Sequence, residues 1–224
     1  MFTESADLYD LVYSFKDYPE EVERLREMVG REGGTLLDVA CGTGHHLALL
    51  AEHYRVEGVD LDPAMVELTR ARGLRADVGD LLTIELGRRF DVVTCLFSSI
   101  GYVADLPRAV DRLAAHVAPG GVVVVEPWLA PEQIRMGHVG LVTAESDSVK
   151  VARMTSLMVD GRECLMEFQY LIGRSGAVEH RTERHRTYLW TRDEYAGAFA
   201  AAGLAAVHDE EGLMGRGLWI ATAP

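Results

Sequence analysis

The sequence predicts a doubly wound, mostly parallel α/β sheet with an antiparallel β insertion after its fifth strand. Three observations carry this expectation. Between Thr35 and Glu126, five short β-branched apolar runs alternate with helical stretches. Strands covered on both faces lose polar alternation, so runs of this kind belong to a parallel sheet between helical layers. From Val139 to Trp190 the rhythm changes to successive strand-like stretches. Asp160-Gly161 and Ser175-Gly176 punctuate them, as hairpin turns require. Finally, a glycine-containing turn follows the first apolar run, where sheets of this class bind ligands.

The elements follow in order. The opening thirty residues read as helical, with charge on one face. Thr35 to Ala40 (TLLDVA) is the first strand, and a helix is expected from about Thr43 to Tyr54. Val56 to Asp60 is the second strand; Asp62 then caps a helix whose first turn holds Pro63. Leu74 to Val78, Phe90 to Phe97 and Gly121 to Glu126 supply strands three to five. The helix before the fifth runs from about Leu106 to Val117 and stops at Pro119-Gly120-Gly121. After the insertion, Thr191 to Ala202 forms a helix closed by Gly203, and Gly217 to Thr222 is the last strand. Such short β-branched runs exclude a helical bundle.

Composition narrows the function. With 48% apolar and 25% charged residues, the 224-residue chain suits a soluble globular protein. Its net charge of −13 opposes a nucleic-acid groove, which needs clustered cations. Cys41, Cys95 and Cys164 are odd in number and lack ligand spacing, so buried thiols are expected rather than disulfides or a metal centre. The start, MFTESADLYD, does not read as a secretory signal, and the run around Val122 to Val125 is too short for a membrane span. A cytoplasmic protein without membrane partners is expected.

The chemistry concentrates at Asp38-Val39-Ala40-Cys41-Gly42-Thr43-Gly44, where strand one meets its helix. Glycine there admits a ligand against the backbone, and the helix N-terminus contributes a positive dipole end. A dinucleotide fingerprint would need glycine at 47, where the chain has Leu47; the P-loop Gly-Lys-Ser/Thr is absent. Asp60 ends strand two, about twenty residues on, where a carboxylate can accept hydrogen bonds from a ribose. Gly79-Asp80-Leu81 follows strand three, and Phe97 to Gly101 (FSSIG) ends strand four.

DVACGTG resembles the first motif of class I S-adenosylmethionine (SAM)-dependent methyltransferases. The resemblance implies SAM as cofactor on a seven-stranded Rossmann-like sheet. It places Asp38, Ala40, Gly42 and Gly44 along the amino-acid portion of SAM. Asp60 and Leu61 would meet the ribose, Asp80 and Leu81 the adenine, and Phe97 the sulfonium. Tyr9-Asp10-Leu11, Lys16-Asp17-Tyr18, Val56-Glu57-Gly58, LGRRF, FSSIGY, GGVVVVEPW and GRGLW extend the likeness from residue 9 to 219. Together they resemble the amino-sugar N,N-dimethyltransferases of macrolide biosynthesis, which act on the 3-amino group of a dTDP-linked deoxysugar. By that resemblance Tyr9 and Tyr18 belong to an N-terminal lid. Ser98, Ser99 and Tyr102 face the acceptor from strand four, Glu126 and Trp128 from strand five, and Arg216 from the closing strand. Leu129 stands where the family often has a second Trp, which leaves the dTDP portion and the exact sugar open.

One domain is expected: a lid at 1–30, a SAM-binding core at 31–127, the insertion at 128–190, and a closing helix and strand at 191–224. Methyl transfer to an amine needs chiefly an oriented lone pair. Tyr102 or Glu126 could accept a hydrogen bond from that amine. An O- or C-methyltransferase of another small metabolite is the alternative. An oxygen nucleophile would need a base, and His180 and His185 in the inserted strands could serve, although solvated histidines are the ordinary case there. A SAM-binding protein without activity would be expected to lose several of these motifs. Leu157, Met158, Leu165, Met166 and Phe168 need burial, which favours a homodimer.

Overall fold

The computed structural model describes residues 5–224. Helices α1 (Tyr9–Val12) and α2 (Tyr18–Val29) precede β1 (Thr35–Val39). There follow α3 (His45–Leu50), β2 (Arg55–Asp60), α4 (Pro63–Ala71), β3 (Ala76–Val78), β4 (Phe90–Cys95), α5 (Leu106–His116) and β5 (Val117–Val125). Four more strands come next: β6 (Val139–Glu145), β7 (Lys150–Asp160), β8 (Glu163–Arg174) and β9 (Ala177–Tyr188). The chain closes with α6 (Arg192–Ala201), β10 (Ala205–Asp209) and β11 (Leu218–Thr222).

A seven-stranded sheet has the order β10-β11-β5-β4-β1-β2-β3. β1 to β5 pair in parallel, while β11 runs antiparallel to β5 and β10 antiparallel to β11. Successive side chains of a strand point to opposite faces, so each strand feeds two cores. Leu37, Val39, Val93, Val123 and Val125 pack with α5 and α6 residues such as Leu113 and Phe199. Leu36, Val92, Val122 and Val124 pack with α2 and α3 residues such as Leu25 and Leu47. β1 sits between β2 and β4, so strand order reverses there and the carboxyl ends of β1 and β4 part to form a crevice.

The inserted strands form a separate sheet in the order β6-β7-β8-β9. The pairing register puts Arg153, Tyr170 and Arg181 side by side, then Thr155, Phe168 and Glu183, then Leu157, Met166 and His185. This inner face packs on Leu8, Val12 and Tyr13 of the N-terminal segment. The opposite face leaves Leu141, Met154, Met158 and Leu171 more than half exposed.

Several boundaries differ from the sequence reading. The opening helix splits at Tyr13 because Asp17 caps a new one, its carboxylate accepting the Glu20 N–H. Pro119-Gly120-Gly121 lies inside β5, accommodated by a register shift opposite Phe90–Val92. The turn between β7 and β8 comprises Gly161 and Arg162, one residue later than read, since Asp160 pairs with Glu163. Strand β10, the seventh of the expected sheet, was not located in the sequence; it is a short edge strand. Of the five apolar insertion residues, Met166 and Phe168 are buried within the chain itself, whereas Met158 is 64% exposed. All three cysteines are buried free thiols.

Candidate active site

The turn after β1 is built by backbone conformation. Ala40 and Gly42 both adopt left-handed φ, 62° and 56°. A Cβ on Gly42 would meet nothing within 4 Å, so that side of the turn is open to a ligand. The Gly42 N–H donates to Asp60 Oδ2 (2.8 Å) and the Asp62 N–H to Asp60 Oδ1 (2.9 Å), which locks the β1 turn to the end of β2. Burial nevertheless raises the Asp60 carboxyl, outweighing those two donors. Asp38 lies beneath the turn and accepts a hydrogen bond from Thr94 Oγ1 (2.7 Å). Its burial, aided by the charge of Asp60, pushes the carboxyl up to about 7. Gly44, by contrast, is the N-cap of α3 and packs on Thr69.

Three lobes of one cleft meet at Ala40 and Ser99. One, of about 280 Å³, is lined by Asp60, Leu61, Asp80, Leu81 and Tyr102. Asp80 accepts the Leu82 N–H (2.8 Å), which fixes the loop after β3. A small lobe of about 30 Å³ lies among Tyr9, Tyr18, Asp38 and Gly42. The third, about 230 Å³, extends from Ala40 and Asp60 past Phe97 to Trp128, Arg153, Phe168 and Arg216. The first two lobes are continuous at Ala40 and Ser99, and the third opens beside them from the same two residues.

The N-terminal segment roofs this cleft. Asp10 accepts hydrogen bonds from Thr43 Oγ1 (2.6 Å) and Arg72 Nη2 (2.5 Å), tying α1 to the β1 turn. Tyr18 stacks on His45 at 4.6 Å. Lys16 pairs with Glu21 (2.9 Å) and stands 3.8 Å above the Phe97 ring. Burial is the main cause that keeps its ammonium below the ordinary lysine value. Tyr9 is raised well above the ordinary tyrosine value by burial, and Tyr18 is likewise raised.

Phe97 and Ser98 both have left-handed φ, 51° and 62°, a strained pair for residues with side chains. Glu126 stabilises it: its Oε2 accepts the Phe97 N–H (2.7 Å). Glu126 was expected to face the acceptor, but it is fully buried behind Phe97 and absent from the cleft walls. Desolvation raises its carboxyl, against the pull of Lys16 and Arg216. Ser98 Oγ accepts from Arg216 Nη1 (2.9 Å) and donates to the Pro127 carbonyl (2.8 Å), so it holds Arg216 in place. A Cβ on Gly101 would lie 2.5 Å from Trp128 Cβ, which is why the turn after β4 and the start of the insertion can touch.

Residues that the sequence reading did not place at the acceptor complete the third lobe. Tyr13 packs edge-on to Phe97 (5.0 Å), and its hydroxyl accepts from Arg153 Nη1 (3.0 Å). Arg153, Met166, Phe168 and Thr187 project inward from the antiparallel sheet. His185 is 2% exposed, not solvated, with Nδ1 2.8 Å from the Tyr102 hydroxyl. His180 is exposed, bonds Gln169, and lies outside the cleft. The inward alternation V-x-R-x-T and M-x-F-x-Y was visible in the sequence, but nothing local said which face was covered.

A seven-stranded sheet with this cleft at its reversal point is the architecture of class I SAM-dependent methyltransferases. A family profile described as a methyltransferase domain matches residues 11–209, and the chain belongs to that family. It is 43% identical to dTDP-3-amino-3,6-dideoxy-alpha-D-glucopyranose N,N-dimethyltransferase of Streptomyces fradiae, over 96% of this chain and 89% of the relative. It is 39% identical to dTDP-3-amino-3,4,6-trideoxy-alpha-D-glucopyranose N,N-dimethyltransferase of Streptomyces venezuelae, over 96% of each. The crystal structure of Streptomyces venezuelae DesVI matches with a TM-score of 0.92 at 36% identity, covering 98% of both chains. SAM-bound CalS10, an amino pentose methyltransferase from Micromonospora echinaspora, matches at 0.82 and 38% identity, over 93% of this chain and 90% of that one. The protein is a SAM-dependent methyltransferase.

Proposed function

We propose that the protein transfers methyl groups from SAM to the amino group of a dTDP-linked amino deoxysugar. The observation that carries this reading is the lining of the third lobe. It presents two guanidinium groups, Arg153 and Arg216, and the uncharged hydroxyls of Tyr13, Ser99 and Tyr102. Guanidinium pairs suit a diphosphate. Neutral hydroxyls suit an amine that must lose its charge before it can attack. The names of the relatives point to the same substrate class.

SAM supplies a methyl group on a sulfonium, a good leaving group, so the chain needs mainly to orient and to exclude water. Asp60 holds the ribose, Leu61 covers the adenine lobe, and Asp80 and Leu81 bind the adenine. Ala40, Gly42 and Asp38 receive the amino-acid end beneath Tyr9 and Tyr18, with Gly44 setting the helix behind them. Phe97 shields the reacting centre. Tyr102 accepts a hydrogen bond from the amine, Ser99 and Trp128 pack on the sugar, and Ser98 steadies Arg216. Glu126 acts through the Phe97 turn.

The test is incubation with SAM and dTDP-3-amino-3,6-dideoxyglucose, followed by mass spectrometry. Products heavier by one and then two methyl groups are expected, with far slower reaction of the sugar lacking its nucleotide. No product despite SAM binding would overturn the substrate assignment.

A homodimer through the outer face of the antiparallel sheet is proposed as well. Val139, Leu141, Met154, Met158, Leu171 and Val178 are each more than half exposed there, an apolar set that water disfavours. Met154→Glu should convert a dimer to a monomer in light scattering; a monomeric wild type would sink this part. A cytoplasmic location is proposed with it, supported by three thiols left free and by the lack, among the described residues, of any helix able to cross a membrane.

A further inference from the structure

We propose that His185, oriented by Glu183, draws the proton from the substrate ammonium through the Tyr102 hydroxyl, so that the three side chains form a proton relay. The inference rests on the amine-acceptor reading above and adds residues to it. Tyr102 lines both the acceptor lobe and the nucleoside lobe, and its oxygen is 2.8 Å from His185 Nδ1. With the phenol proton directed at Nδ1, the oxygen's lone pairs are left to the cleft. Glu183 and His185 are two apart on β9 and therefore share its inner face. Their facing atoms, Oε2 and Nε2, are 3.6 Å apart.

Burial makes this arrangement more than incidental. Glu183 is 5% exposed and His185 2% exposed, and a carboxylate taken that far from water needs partners. Ser5 Oγ donates to Glu183 Oε2 at 2.6 Å, and the Tyr170 hydroxyl approaches it at 3.4 Å. The Phe168 ring lies 4.6 Å from the imidazole and keeps water from that side. The charged and titratable groups facing the relay are Tyr9 from α1, Tyr13 just after it, Arg153 from β7 and Tyr170 from β8. The Arg153 guanidinium lies over the Phe168 and Tyr13 rings and bonds the Tyr13 hydroxyl. Ser5 and Tyr170 address Glu183 rather than the imidazole.

The proton balance is simple. An N–H bond of the ammonium breaks as an O–H bond forms at Tyr102, while the original phenol O–H breaks and Nδ1–H forms. Tyr102 is neutral before and after, and burial, which holds its hydroxyl well above the ordinary tyrosine value, keeps it so. The imidazolium then faces the Glu183 carboxylate, and the amine has its lone pair. Each transferred methyl leaves a new ammonium, so a second methylation needs the step again, after His185 has returned its proton to solvent as products exchange.

The test is the pH profile of kcat and KM for His185→Gln and Tyr102→Phe, with SAM binding and thermal unfolding measured on both as fold controls. At a pH where the substrate amine is protonated, each variant should lose roughly 100-fold in kcat with KM nearly unchanged. The loss should shrink as pH rises and the amine arrives neutral, and the double variant should be no worse than either single one. A loss of the same factor at every pH would make His185 a packing residue and overturn the relay. Undiminished turnover in His185→Gln would overturn it too while leaving the amino-sugar reading intact; absence of turnover in wild type would instead overturn that reading.

Discussion

The two halves of the cleft are made by different means. The cofactor half is a backbone construction: left-handed Ala40 and Gly42, with Asp60 accepting the N–H groups of Gly42 and Asp62. The acceptor half is a side-chain construction. Arg153, Phe168 and His185 come from three strands and meet because the pairing register aligns inner-face positions. Backbone geometry demands particular residues at close spacing, whereas a strand face accepts many. The first half therefore binds one cofactor in a whole superfamily, and the second can be rewritten for each acceptor.

The sharpest way to break the comparison is Asp60→Ala. It removes a carboxylate that would serve the ribose and orphans two backbone donors. Charge-assisted hydrogen bonds are worth about 3 kcal/mol, so SAM affinity should fall about 100-fold by isothermal titration. An unchanged affinity would mean that the backbone turn alone binds the cofactor. Gly101→Ala tests the contact between the halves. The new methyl would lie 2.5 Å from Trp128 Cβ, and overpacking of this kind costs about 2 kcal/mol, read as a lower Tm. A neutral substitution would show that the two halves are not tightly joined there. Arg153→Met sits wholly in the acceptor half. It should raise KM for the nucleotide sugar about tenfold and leave SAM binding alone, the signature of one lost charged contact. A matching loss of SAM affinity would erase the division between the halves.

The same division explains what could be read from the chain. The parallel strands, the helix capped by Asp62, and the β1 turn are local: each depends on residues within a few positions of one another. Tyr13 escaped notice although Tyr9 and Tyr18 did not, because only the packing of α1 against Phe97 turns it inward. His185 read as a base only for an oxygen acceptor and otherwise as a solvated strand residue, since RTERHRT offers no local sign that alternate positions are covered by Tyr102 and Phe168. Glu126 was expected at the acceptor only because GGVVVVEPW resembles the family's pattern. The positive φ of Phe97, which creates the need for a buried carboxylate behind it, is invisible in FSSIG. Strand β10 went unread because AAVHD carries only one β-branched residue.

The smallest effect probes the seam itself. Asp38 is part of the motif turn, yet it is polarised by its surroundings, with Thr94 donating to it and burial raising it to about 7. The ammonium of SAM, bound with its amino-acid end at Asp38 as proposed above, would favour the carboxylate form, so binding would release a proton and affinity should rise as pH rises through about 7, then level off. With half the sites ionised at pH 7 and nearly all at pH 8, the gain is about twofold over that unit. Folding has the opposite sense. A carboxyl raised from 3.8 in the unfolded chain to about 7 stabilises the empty protein fully at low pH, and that contribution is lost as pH climbs between those values. Asn at 38 keeps the Thr94 hydrogen bond and cannot ionise, so Asp38→Asn should flatten both slopes together. If titration finds the affinity slope intact in the variant, the proton belongs to Asp60, whose carboxyl burial also raises.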